Sequence, residues 1–221
     1  MSRPRIALIH ATPVAIEPIK EALAATWPEA EPINILEDSL SPDLAAAGEL
    51  TECLTERIVD LAFYAQKIGS DGILYTCSSF GPAIEKAAGL MDVPVLKPNE
   101  AMFEAAIRRG GRTAMIATFK PAQASMEAEF KEEAQRLSPE ATIETFVVEP
   151  AMTALRAGDA ETHNRLVAEK ARELSEYDAI VLAHFSTARA ATAVRSATNI
   201  PVLTSPDAAV AKLKRLVASG H

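Results

Sequence analysis

Residues 71–101 and 178–208 of this chain align without a gap, and the offset of 107 residues between Asp71 and Asp178 recurs between Arg5 and Arg112 at the start of two further matching stretches. The shared positions include Asp71/Asp178, Ile73/Ile180, Ser79/Ser186, Pro94/Pro201, Val95/Val202 and Leu96/Leu203. A duplication of this kind narrows the possible folds sharply. Each copy is about 107 residues long, a normal size for a small lobe that closes its own core. Residues far apart in sequence also become spatial equivalents, and Cys77 of one copy is set against His184 of the other.

Within each copy, short apolar runs alternate with longer helical patterns. The runs predict strands at Ile6–His10, Ile33–Leu36, Gly72–Thr76 and Val95–Leu96, then Thr113–Thr118, Ile143–Val148, Ala179–Ala183 and Val202–Leu203. They read as continuous rather than alternating, as in strands buried on both faces. Helices are predicted at Ala15–Thr26, Leu50–Ile68, Gly81–Gly89, Ala101–Arg109, Pro121–Leu137, Ala160–Ser175, Ala188–Ala197 and Asp207–Ala218, with Ser205-Pro206 and Gly110-Gly111 as end signals. Strand–helix alternation with short connections implies parallel sheets covered by helices. The expectation is an α/β chain of two pseudo-symmetric, doubly wound lobes. The first spans 1–111, with a C-terminal helix at 207–221 packing back on it, and the second spans 112–206. Ligands in such sheets bind beyond the carboxyl ends of the strands, so the site is expected in a cleft between the lobes.

Composition excludes several classes. With 22 Lys and Arg against 30 Asp and Glu, the net charge of −8 does not suit a nucleic-acid surface. No apolar run approaches the ~18 residues of a membrane span, and MSRPRIALIHATP reads as a first strand rather than a signal peptide. Two cysteines, Cys53 and Cys77, make no disulfide framework, and a reducing cytoplasm is the expected setting. Cys53 lies mid-helix and reads as a core or helix-face residue.

The chemistry concentrates where strands end. Gly72–Thr76 runs into Cys77-Ser78-Ser79-Phe80-Gly81-Pro82, a small polar turn before a helix start. Backbone N–H groups there can hold a carboxylate or enolate oxygen, with Thr76, Ser78 and Ser79 adding hydroxyls. A thiol at a helix N-terminus is expected to have a lowered pKa, which makes Cys77 a candidate base or nucleophile; the alternative is an inert buried thiol. In the second copy Ala179–Ala183 runs into His184, Phe185, Ser186 and Thr187. His184 is a candidate proton-transfer group, or else a hydrogen-bonded structural histidine. The loops after the first strand of each copy add His10 and Thr12, and Thr118, Phe119 and Lys120, as candidate ligand contacts. Tyr75, Phe80, Phe119 and Phe185 are candidates for an apolar wall. No metal site is expected, because His10, Cys77 and His184 show no ligand spacing. No phosphate-binding glycine fingerprint is present.

At these residues the chain resembles the aspartate/glutamate/hydantoin racemase superfamily, in the branch with hydantoin and allantoin racemases, maleate isomerase and arylmalonate decarboxylase. The resemblance covers nearly the whole chain. It rests on the duplication and on TCSSFGPAIE from Thr76, IATFKPAQASME from Ile116 and LAHFSTARA from Leu182. It implies a cofactor-independent enzyme with two thiols on opposite faces of a carbon next to a carboxylate. Cys77 matches the first thiol; His184 stands at the second, a departure from the family pattern. The resemblance therefore implies a racemase, epimerase or isomerase of a small carboxylate or ring imide, acting as a homo-oligomer, with Cys77 and His184 as its acid–base pair. A one-thiol decarboxylase or maleate-type isomerase is the alternative, and a non-enzymatic binding protein for a small anion is a third reading.

Overall fold

A computed structural model describes residues 3–220. Among them, eight strands form two four-stranded, all-parallel sheets. The first contains β1 (Arg5–His10), β2 (Glu31–Leu36), β3 (Gly72–Tyr75) and β4 (Val95–Leu96), in the order β2-β1-β3-β4. The second contains β5 (Arg112–Ala117), β6 (Thr142–Val147), β7 (Ala179–Leu182) and β8 (Val202–Thr204), in the order β6-β5-β7-β8. The helices are α1 (Ile16–Thr26), α2 (Leu40–Ala47), α3 (Glu52–Lys67), α4 (Gly81–Ala88), α5 (Glu100–Arg109) and α6 (Gln123–Leu137), followed by α7 (Glu149–Arg156), α8 (Ala160–Arg172), α9 (His184–Ala188), α10 (Ala191–Ala197) and α11 (Ser205–Ser219). None of the described helices is long and apolar enough to cross a membrane.

The repeat extends to individual bonds. Ile6 pairs with Gly72 and Thr113 with Ala179; Ile73 pairs with Val95 and Ile180 with Val202. The Arg5 N–H donates to Asp71 Oδ2 at 2.7 Å and the Arg112 N–H to Asp178 Oδ2 at 2.8 Å. Just past the ladders, the Thr76 N–H reaches the Ile9 carbonyl at 3.0 Å and the Ala183 N–H reaches Ile116 at 3.0 Å. Both copies therefore deliver the residue after β3 or β7 with the same register.

The central strands are continuous and buried, because helices cover both faces. The edge strands β2 and β6 differ from expectation: more and less exposed residues alternate along much of their length, as in strands shielded mainly on one side. Three helices were also not anticipated. In α2 and α7 a proline falls in the first turn, where its missing N–H costs nothing, and such segments read as loops in sequence. The third, α9, is a single short segment beginning at His184.

Two compact units result. One contains residues up to Pro98 together with Ala209 onward, and the other runs from Asn99 to Ala208. The boundary precedes α5 rather than falling at 111. The reason is packing: Met102, Phe103, Ala106 and Ile107 of α5 are buried against Met115, Met126, Phe130 and Val181, with Phe103 and Phe130 edge to face at 5.5 Å. In the first unit, Ile9, Ile58, Ile73, Tyr75, Phe80 and Ile84 form the core. Gly72 lets α11 approach β3, since a Cβ there would lie 3.0 Å from Leu213 Cδ1. Residues 1, 2 and 221, which the predicted lobe limits included, lie outside the described residues.

Candidate active site

In the first unit, three strand ends meet around His10. The ring is fully buried. Its Nδ1 lies 2.9 Å from Thr76 Oγ1 and its Nε2 3.0 Å from Asn34 Oδ1. Burial pushes its pKa down, against the opposing Asn34 contact. These contacts fit the neutral tautomer in which Nε2–H donates to Asn34 and Nδ1 accepts the Thr76 hydroxyl. The Thr76 hydroxyl also lies 3.3 Å from the Ile9 carbonyl.

Cys77 follows directly, with extended backbone, at the head of a three-residue 3₁₀ turn, Ser78–Phe80. The α-helix begins only at Gly81. The expected net lowering of its pKa is reversed by desolvation, although an N–H of this turn still acts in the expected direction. Burial pushes the Cys77 thiol up, and the Ser79 N–H, the Ser79 hydroxyl and the Ser41 hydroxyl pull it back. Ser41 belongs to α2, and its hydroxyl also donates to the Ala11 carbonyl at 2.9 Å. Sequence reading missed Ser41. The available signal was Ser41-Pro42, the same pair that marked the helix start at Ser205-Pro206. Ser78 and Thr12 are half-buried and Ser79 is exposed. Thr12 caps the turn Pro13–Ala15 without a side-chain bond, so that turn leaves its hydroxyl unused.

Two proposed wall residues face elsewhere. Tyr75 lies in the core with its hydroxyl donating to the Ile58 carbonyl at 2.6 Å, and Phe80 is buried in the same cluster. Period-two geometry explains Tyr75: its side chain points to the face covered by α3. Cys53 is exposed on α3, and Lys97 pairs with Glu85 at 2.6 Å.

In the second unit, His184 is the one described non-glycine residue with positive φ, at 69°. A left-handed backbone costs a side-chain-bearing residue about 1–3 kcal/mol, and such strain clusters at functional sites. Burial lowers the imidazole pKa, with the Ala183 carbonyl opposing. His184 Nδ1 is buried without a hydrogen-bond partner among the described residues. Beside it in sequence, Ser186 is half-buried, Phe185 is buried, and Thr187 Oγ1 lies 3.2 Å from Thr118 Oγ1, both threonines being buried. Phe119 and Lys120 are exposed, and the Arg156 guanidinium lies 5.9 Å from the Phe119 ring centroid. Among the described residues, no group of three or more His, Cys, Asp or Glu side chains could hold a metal ion.

Each unit thus carries one half-buried acid–base group at the carboxyl end of equivalent strands. The two deviate in opposite directions, and both directions favour the uncharged form.

Comparison with known proteins gives the same architecture. The sequence profile of the Asp/Glu/Hydantoin racemase family matches residues 9–176. No curated protein matches the chain. Allantoin racemase from Klebsiella pneumoniae is similar over 98% of this chain and 89% of its own, with TM-score 0.70 and 22% identity. Picrophilus torridus aspartate racemase is similar over 97% and 94%, with TM-score 0.70 and 15% identity. A variant of arylmalonate decarboxylase is similar over 99% and 95%, with TM-score 0.67 and 19% identity.

Proposed function

Because this chain belongs to the Asp/Glu/hydantoin racemase family, we propose that it is a cofactor-independent racemase or epimerase that moves a proton at a carbon beside a carboxylate or ring carbonyl. The observation that carries this reading is the equivalence of Cys77 and His184, one after β3 and one after β7, with the same ladder register before each. We assign each the proton on one face of the substrate carbon.

The resting pair is a neutral thiol and a neutral imidazole, since burial raises Cys77 and lowers His184. In one direction the His184 imidazole takes the carbon-bound proton, and the C–H electron pair passes into an enolate. The Cys77 thiol then gives its proton to the opposite face. This leaves thiolate and imidazolium, which is the form that consumes the other enantiomer. The developing oxyanion needs fixed donors more than a strong base. Ser78, Ser79, Thr12, Ser186 and the Thr118–Thr187 pair supply the hydroxyls we assign to that work. Phe119 and Lys120 are assigned to the substrate's remainder, with a small carboxylate or imide as the substrate class.

The test uses single enantiomers of aspartate, glutamate, allantoin and a 5-substituted hydantoin, followed by chiral chromatography. On the substrate that turns over, His184→Ala is expected to abolish racemisation while Cys77 still exchanges with D₂O the carbon-bound hydrogen of one enantiomer only, the one that presents it to the thiol. Unchanged racemisation in His184→Ala would falsify the two-group assignment. A one-thiol decarboxylase is the second reading, favoured by the single cysteine across the two matched positions. It predicts release of CO₂ from a malonate and one product enantiomer. Side-by-side exposed Phe63 and Tyr64 on α3 support self-association, which light scattering reads directly. A reducing cytoplasm is the setting that keeps Cys77 free.

A further inference from the structure

The buried imidazole of His10 has no part in the proton transfers just described, yet both its nitrogens are engaged. Its bonds run sideways across the sheet. They join Asn34 on β2 to Thr76, the residue immediately before Cys77, through the last residue of β1. Thr76 is then tied to β1 twice, by its N–H to the Ile9 carbonyl at 3.0 Å and by its hydroxyl proton to His10 Nδ1 at 2.9 Å. The next residue, Ala11, accepts the Ser41 hydroxyl at 2.9 Å. Three consecutive residues, Ile9, His10 and Ala11, therefore hold the chain on the N-terminal side of Cys77 and Ser41, whose hydroxyl lowers the thiol's pKa.

The second unit provides an internal control. Its β5–β7 register repeats that of β1–β3. At the positions 107 residues beyond His10 and Thr76 stand Ala117 and Ala183. The second sheet forms without this side-chain bridge, so the topology does not require it. Among the described residues the bridge occurs in the first unit, at the residue that precedes the thiol.

We infer that His10, Thr76 and Asn34 form a clamp that positions Cys77, with His10 as its central positioning residue, rather than a set of substrate ligands. The inference rests on Cys77 being the reacting thiol of the proposed function. The clamp fixes the direction of Sγ toward the N–H and hydroxyl donors of Ser79. Releasing it costs the thiolate those donors, and misplacement of a reacting group by about 1 Å costs ~10²-fold in rate.

The experiment measures the pH dependence of iodoacetamide alkylation at Cys77, with the exposed Cys53 as internal control. It needs no substrate, so it succeeds or fails independently of the racemase reading. Thr76→Val keeps the side-chain volume and the backbone N–H but removes the hydroxyl. Asn34→Ala removes the outer partner of His10 from an exposed position on an edge strand, where folding tolerates it. Both are expected to move the Cys77 alkylation midpoint to higher pH and leave Cys53 unchanged, whereas Thr76→Ser, which keeps the hydroxyl, is expected to retain the native midpoint. On a turned-over substrate, Thr76→Val is expected to lower kcat by about 10- to 100-fold with little change in KM. An unmoved midpoint in both variants, with only a lower melting temperature, overturns the clamp as a positioning device. A raised KM with kcat and midpoint intact overturns it in favour of Thr76 as a substrate ligand. If Thr76→Val does not fold, Asn34→Ala decides alone by the same midpoint.

Discussion

At the scale of single residues, the informative quantity is the protonation state of Cys77 and His184. Catalysis through the neutral pair requires the imidazole unprotonated and the thiol protonated. His184 loses its activity as a base when protonated, and its pKa lies below the ordinary 6.5, so the acid limb of the pH–rate profile falls below that value. Cys77 loses its donor proton when ionised, and its pKa lies above the ordinary 9.0, so the alkaline limb falls above that value. The thiolate–imidazolium form has the same total protonation. Both reaction directions are therefore expected to show the same broad plateau, measured as kcat/KM from each enantiomer. A bell centred narrowly near pH 6, with a thiolate limb below neutrality, contradicts this assignment. The candidate pair was legible in sequence because the offset aligned the two positions. The sign of the Cys77 shift was not, because it is set by desolvation, which depends on segments distant in sequence. The left-handed backbone at His184 was equally invisible, since histidine carries no glycine-like signal for it.

At the scale of elements, glycines mark where the chain has least freedom. Gly111 enters β5 with φ +79°, and a Cβ there would lie 2.1 Å from Asp178 Oδ2, the carboxylate that accepts the Arg112 N–H. Gly110, with φ +76°, has open space around its Cβ position. Gly110→Ala is expected to cost about 1 kcal/mol from backbone strain alone, and Gly111→Ala about 2–3 kcal/mol because the Asp178 contact must also break. Urea denaturation of the two variants checks the difference; equal losses would mean that the carboxylate moves aside freely. The central strands were readable because burial on both faces leaves an unbroken apolar run, as in Ile73-Leu74-Tyr75. The edge strands β2 and β6 were located correctly but their alternation was not, since Ile33 and Ile35 flank an outward Asn34 that reads as one polar interruption. The helices α2 and α7 were missed for one physical reason: proline stops a helix in its interior but starts one in its first turn. That omission also hid Ser41 from the candidate site.

At the scale of the whole molecule, the duplication explains how two unlike groups come to equivalent strand ends. Parallel registers bring the chain to both positions by the same backbone bonds, and the copies diverge after that point in backbone and side chain alike: an extended thiol next to a histidine clamp in one, a left-handed histidine beside paired threonines in the other. The division into units follows packing rather than the repeat boundary. The buried face of α5 completes the second core, while Leu213 lies over Gly72 in the first. The most direct measurement of the central claim is the reaction of the unmodified enzyme with one enantiomer in D₂O, stopped early and read by mass spectrometry. Two separate acid–base groups predict product carrying one solvent deuterium while recovered substrate remains unlabelled, from either enantiomer. Product that retains the substrate's own proton, or substrate and product gaining deuterium at equal rates, would contradict the assignment of one face to Cys77 and the other to His184.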